Sequence, residues 1–266
     1  MKNRVTAGFW GVFLLLTSLI ALTVTPLNAN SAETQPSKKI SGEIMVLAAS
    51  SLNDSFTKIG EKFESEHNDV KVRFSFGASS QIRQQLEGGA GGDVVATADA
   101  KTMALLNQSS LVTKKSIIFA KNTFAIVVQN RNPSKIKTLA DLGNDKQKIV
   151  LCAPGVPCGV YANQILRQAK VSISHPILSS DAASAVSLVA LGEADAALIY
   201  RTEAISNSRL KGIEIPKSEN ITAQYPAAVI KNSSNKTAAR EFVKFLNEPK
   251  AQKILSKYGF LPKAKL

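Results

Sequence analysis

Short β-branched apolar runs alternate with segments in which apolar residues recur every third or fourth position, and this rhythm holds through most of the chain. Ile44-Met45-Val46-Leu47 predicts a strand. Residues 51–66 predict a helix, with Leu52, Phe56, Ile59 and Phe63 on one face. Further strands are expected at 70–76, 93–96, 123–129, 149–151, 196–200 and 226–230. Helices are expected from Ser79-Ser80 through Ile82 and Leu86 to Gly88-Gly89, then at 103–106, 160–169, 181–191, 238–246 and 251–257. Strands and helices taken in turn predict an α/β fold with parallel strands. The run FAIVV at 124–128 is a candidate for carrying the chain from one lobe into a second.

The strand-to-helix turns share a composition. Ala49-Ser50-Ser51, Gly77-Ala78-Ser79-Ser80, Pro157-Cys158-Gly159 and Ser179-Ser180-Asp181-Ala182 are all small, hydroxyl-bearing or glycine-containing. A helix N-terminus leaves backbone N–H groups unpaired and carries partial positive charge, so several that converge bind an anion. Any one such turn is explained by ordinary capping; four of one kind favour an anion site.

The N-terminus changes where this chemistry would take place. Lys2 and Arg4 precede an uncharged, mostly apolar run from Phe9 to Thr25, followed by Pro26 and small residues at Ala29 and Ala32. That is the layout of a secretory signal peptide over 1–29, or of a membrane anchor if the segment is retained. Residues 30–41 read as a flexible polar leader. Neither cysteine lies near the small-residue exit, so a lipid-modified cysteine is not expected. The net charge of +13 is compatible with nucleic acid, an anionic surface or an anionic ligand as partner. Scattered basic residues and only 6% aromatics argue against nucleic acid.

Cys152 and Cys158, the only cysteines, flank a Pro-Gly-Val-Pro run. In an exported protein such a pair forms a disulfide; two buried reduced thiols are the alternative. A zinc site drawing on both cysteines with His67 and His175 lacks local ligand spacing, and a thiol oxidoreductase would use a shorter Cys-x-x-Cys spacing. A secreted serine hydrolase built on Ser79 is a reading of another class, but Gly77-Ala78-Ser79-Ser80-Gln81 lacks the second glycine of a nucleophile elbow. His67 and His175, the only histidines, read as solvent-facing loop residues.

LAASSLNDSF, SFGASSQI, GGDVVATAD, VPCGVYA, EADAALIY, QYPAAVI and the closing KYGFLP stand in an order and spacing that resemble the molybdate-binding proteins of bacterial ABC transporters, over about 42–266. The resemblance implies a two-lobed, type II periplasmic-binding-protein fold with the oxyanion gripped between lobes. It implies hydroxyl and N–H donors from Ser51 and Ser79, backbone N–H donors from Cys158 and Ala182, and the phenol of Tyr200. Alanine is common in the family at the Cys158 position and valine at the Ala182 position; both departures leave the backbone donor in place. One lobe would hold 42–122 and 225–266, the other 123–224, joined by a two-segment hinge. The expected ligand is molybdate, with tungstate, and the expected partner is the membrane permease of an importer. No cofactor and no catalysis are expected, and the protein would be an exported monomer of the periplasm or cell surface. None of the five positions is charged. Donors alone suit a fully deprotonated oxyanion and disfavour protonated phosphate, whereas sulfate remains an alternative ligand.

Overall fold

Gly42–Ala49 (β1) leads directly into a 3-10 turn, Ser50–Leu52, and the helix Asn53–Glu66 (α1). The computed structural model that shows this describes residues 40–263. The expected signal segment 1–29 lies outside the described residues, as does all of the leader but Ile40 and Ser41. The apolar face read for the first helix is the one that packs: Leu52, Phe56, Ile59 and Phe63 are all fully buried. The elements that follow are Val70–Gly77 (β2), Ser79–Glu87 (α2), Val94–Ala96 (β3), Ala100–Gln108 (α3) and Ile117–Asn122 (β4). With β1 and two late strands, Ala223–Val229 (β10) and Leu261–Pro262 (β11), they form a six-stranded sheet in the order β11-β4-β10-β3-β1-β2. The helices Lys236–Phe245 (α7) and Pro249–Lys257 (α8) belong to the same half of the molecule, α7 against β10 and α8 against α1.

The strands Phe124–Gln129 (β5), Ile149–Cys152 (β6), Ile177–Ser179 (β7), Ala196–Tyr200 (β8) and Leu210–Glu214 (β9) form a second sheet, ordered β7-β6-β8-β5-β9. Its helices are Pro157–Gln168 (α4), Ala182–Leu191 (α5) and Arg201–Ser206 (α6). Sheet membership therefore changes between Asn122 and Phe124, and again between Glu214 and Ala223. The side chain of Asn220 ties the two crossings together: its Oδ1 accepts from Phe124 N at 3.0 Å and its Nδ2 donates to Phe124 O at 2.8 Å.

The expectation of parallel strands needs correction. β1 pairs in parallel with β2 and β3, and β6 with β7 and β8, but β10 with β3 and β4, β11 with β4, and β5 with β8 and β9 are antiparallel. The reason is the double crossing: the strand by which the chain enters each sheet, β5 in the second and β10 on its return to the first, runs against the helix-linked strands.

Two features hold the first half together. Phe56, Phe63, Phe74, Phe119, Phe242 and Phe245 form a cluster of tilted and edge-on ring pairs with centroids 5.2–6.3 Å apart, each buried ring contributing about 1.5 to 3 kcal/mol. The buried Asp93 carboxylate accepts from Met45 N at 2.8 Å and from Ser233 Oγ at 2.7 Å, fixing the start of β3 between β1 and the loop before α7. Between the sheets, the rings of Tyr200 and Tyr225 meet edge-on at 5.8 Å.

Candidate functional site

Four helix starts meet at one point between the two sheets. The strand-to-turn transitions at Ala49, Gly77, Val156 and Asp181 deliver the 3-10 turn before α1, then α2, α4 and α5, with their N-termini on a common cavity. Its lining includes Ser50, Ser51, Ala78, Ser79, Pro157, Cys158, Asp181, Ala182 and Tyr200, so all five residues expected at the site are brought together. The empty volume is about 220 Å3 with the open mouth included, so the enclosed part is smaller still. It suits a small ion.

The donors are free because of how each helix begins. In α2 the first intrahelical bond is Ile82 N to Ala78 O at 3.0 Å, and in α4 it is Val160 N to Val156 O at 3.0 Å. The N–H groups of Ser79, Cys158 and Gly159 precede those bonds. In α5, Asp181 Oδ1 accepts from Ser184 N at 2.9 Å, which leaves the Ala182 N–H in the unpaired first turn. Asp181 is the one charged side chain on the lining; its Oδ1 takes this capping bond and its Oδ2 accepts from Ser180 Oγ at 3.4 Å. Helix α4 begins at Pro157 rather than at the expected 160, because proline is preorganised for the first helical position.

The hydroxyls are equally constrained. Ser79 Oγ accepts from Ala98 N at 3.0 Å, so its own hydrogen is available to a ligand. Ser51 Oγ lies 2.9 Å from the hydroxyl of Tyr225. Tyr200 is 1% exposed, and its hydroxyl has no partner within normal hydrogen-bond distance, the Tyr225 hydroxyl being the neighbour that acts on it most. Burial first, then the neighbouring Tyr225, Tyr161 and Asp99, push its pKa well above the usual tyrosine value, so it remains a donor. A buried hydroxyl left unpaired costs about 1 to 3 kcal/mol, and a ligand oxygen in the cavity removes that cost.

Cys152 and Cys158 form a disulfide with Cα atoms 5.7 Å apart. The bond joins the end of β6 to the first turn of α4 and folds Ala153–Val156 over the helix start. Among the described residues no group of three or more histidine, cysteine, aspartate or glutamate side chains could hold a metal ion. His175 is exposed as expected, but His67 is half-buried with its ring 4.4 Å from that of Phe63. Neither histidine is a hydrogen-bond partner of Ser79, whose Oγ meets a backbone N–H instead.

Sequence reasoning missed Tyr225, Asn122 and Glu203. The first two lie behind Ser51 and are separated from it by 174 and 71 positions, so no local spacing signals them. Glu203 has a buried, unpartnered Oε1. Burial above all, then Asp54 at the start of α1 and Asp181 at the start of α5, raise its pKa from 4.5 to about 8. Between those values the folded protein holds a proton that the unfolded chain has lost, so stability falls as pH rises from about 4.5 to about 8, by at most about 1.4 kcal/mol per pH unit. Glu203→Gln should therefore raise the melting temperature at pH 8 and change it little at pH 5. Equal shifts at both pH values in thermal melts would refute this.

A model of bacterial extracellular solute-binding proteins matches residues 44–261. The chain is 31% identical over 249 residues to the molybdate-binding protein ModA of Mycobacterium tuberculosis, covering 92% of this chain and 95% of that one. It is 27% identical to a sulfate-binding protein of Synechococcus elongatus, with 94% and 82% covered. Among solved structures it resembles the substrate-binding domain of a putative molybdenum ABC transporter from Clostridium difficile, at 28% identity and a TM-score of 0.64, covering 84% of this chain and 99% of that one.

Proposed function

This chain belongs to the bacterial extracellular solute-binding protein family, and from that premise we propose that it captures molybdate, and tungstate with it, for delivery to the membrane permease of an ABC importer. The observation that carries the reading is Tyr200: a buried phenol without a partner, in a cavity rimmed by four helix N-termini and free of lysine, arginine and histidine. Each oxygen of a tetrahedral dianion leaving water needs donors, and hydrogen bonds to ionised groups contribute about 1.5 to 3 kcal/mol each. Ser51 and Ser79 supply hydroxyls, Cys158 and Ala182 backbone N–H groups, and Tyr200 its phenol. Ser51 and Ser79 come from the first sheet's half and the other three from the second.

The fold is two-lobed. Residues 42–122 with 225–266 act as one lobe and 123–224 as the other, turning about the paired crossings that Asn220 clasps. The protein works outside the cytoplasm, in the periplasm or at the cell surface, as a monomer, with no cofactor and no covalent chemistry. A hydrolase would need a base at Ser79; a backbone N–H stands there instead.

Thermal shift tests the ligand. Molybdate and tungstate are expected to raise the melting temperature in a concentration-dependent way, while phosphate at equal concentration does not, because its proton needs an acceptor and the one carboxylate on the lining, Asp181, already accepts from Ser184 N and Ser180 Oγ. Stabilisation by phosphate equal to that by molybdate would overturn the reading. The sulfate-binding relative favours sulfate as a second candidate, and competition between the two anions decides it: sulfate that displaces molybdate at equal concentration would make this a general sulfate-type binder.

A further inference from the structure

The hydroxyl of Ser51 can point its hydrogen either at a ligand or back at Tyr225, and only the first orientation makes it a donor. Four residues decide between them. Asn122, the last residue of β4, has its amide oriented by Thr123, whose N–H donates to Asn122 Oδ1 at 2.9 Å. The Nδ2 end is thereby turned the other way, and it donates to Thr202 Oγ1 at 2.9 Å and to Tyr225 Oη at 3.4 Å. Tyr225 Oη, already accepting from Asn122, stands 2.9 Å from Ser51 Oγ, and either hydroxyl can be the donor of that pair. When Tyr225 donates, the Ser51 oxygen accepts and its own hydrogen is released towards the cavity.

We infer that Tyr225, oriented by Asn122, is a positioning residue that sets the proton polarity of Ser51, so that this serine meets an oxyanion only as a donor. The inference rests on the anion-binding reading above and adds a source of selectivity to it. Ser79 is polarised the same way by a different group, the Ala98 N–H at 3.0 Å. Both ligand serines thus have their acceptor side engaged from behind. An oxyanion carrying a proton, which needs an acceptor, is offered none by either.

The burial of the relay makes its direction durable. Asn122 and Tyr225 are both 0% exposed, so water does not compete for the intermediate positions. Burial also pushes the Tyr225 phenol well above its usual pKa, keeping the hydrogen in place at every physiological pH. The chain of bonds spans both crossings between the sheets: Asn122 sits at the first, Tyr225 in the strand that returns from the second, and Thr202 on α6 of the second sheet's half.

The test is a double-mutant cycle on full-length mature protein, read by calorimetric titration with molybdate and with phosphate. Tyr225→Phe keeps the ring and its packing against Phe119, Tyr200 and Phe260. It is expected to weaken molybdate about fivefold, the effect of one hydrogen bond, and to narrow the ratio of molybdate to phosphate affinity. In a Ser51→Ala background the same change should cost nothing further. Asn122→Asp removes the Nδ2 donors and offers Tyr225 an acceptor in place of Ser51, so it should reproduce the loss and the dependence on Ser51 should Tyr225→Phe fail to fold. Additive losses in the double variant, or an unchanged molybdate-to-phosphate ratio, would overturn the relay while leaving the binding function standing. No anion binding by the unaltered protein would overturn the function itself, and the relay with it.

Discussion

Gly159→Ala is expected to destabilise the protein by about 3 kcal/mol or more and to abolish tight anion binding. A Cβ at this position would lie 2.1 Å from Ala153 O and 2.5 Å from Cys152 O. Both are backbone atoms, and the disulfide between Cys152 and Cys158 pins the loop that carries them. Neither partner is the flexible end of a side chain, so the strain has to be taken up by moving the first turn of α4. Overpacking of an interior typically costs about 1 to 3 kcal/mol, and a backbone clash in a closed loop falls at the upper end. The displaced turn carries the Cys158 N–H, so affinity should fall together with stability. Urea unfolding and titration with molybdate check both; a variant within 1 kcal/mol of the parent with unchanged affinity would show that the loop relaxes freely.

Tyr200→Phe and Ser79→Ala are expected each to weaken molybdate binding tenfold or more, and to differ in what they do to the free protein. On the proposed reading each removes a donor to a buried dianion, worth about 1.5 to 3 kcal/mol. The Tyr200 hydroxyl has no partner in the ligand-free fold, so its removal should leave the melting temperature of the free protein unchanged or slightly higher. Ser79 Oγ, by contrast, accepts from Ala98 N, and Ser79→Ala strands that buried N–H and lowers stability as well. Calorimetric titration together with melts of the free variants separates the two. A Tyr200→Phe protein that binds as tightly as the parent would mean that the phenol does not meet the ligand.

Those two residues also mark how far a sequence can be read. Four of the five expected site residues, Ser51, Ser79, Cys158 and Ala182, sit at turns of small or hydroxyl residues that the sequence marks locally, while Tyr200, at the end of β8, was expected only from the family resemblance; all five line the cavity. Helices α1, α2 and α5 followed from spacing, because each buries a single face. The strands β7 and β9 escaped: one has three residues, and the other, Leu210–Glu214, is an edge strand with a glycine and two charges among five. β4 escaped as well, although it ends at Asn122 and the next strand begins at Phe124. Pairing direction and the Tyr225–Asn122 contact behind Ser51 arise only when segments about a hundred residues apart meet, and no periodicity encodes that meeting.

The proposed donors divide between the halves, and that division has a mechanical meaning. Ser51 and Ser79 stand on the first sheet's half, and Cys158, Ala182 and Tyr200 on the second. Direct hydrogen bonds span donor–acceptor distances of roughly 2.7 to 3.2 Å, so parting the halves by even one water diameter would strip an anion bound as proposed of two donors or of three in a single step. Affinity is then a switch worked by separation rather than a property to be overcome bond by bond. A membrane receptor that grips the outer faces and spreads them would discharge the ion without ever touching it.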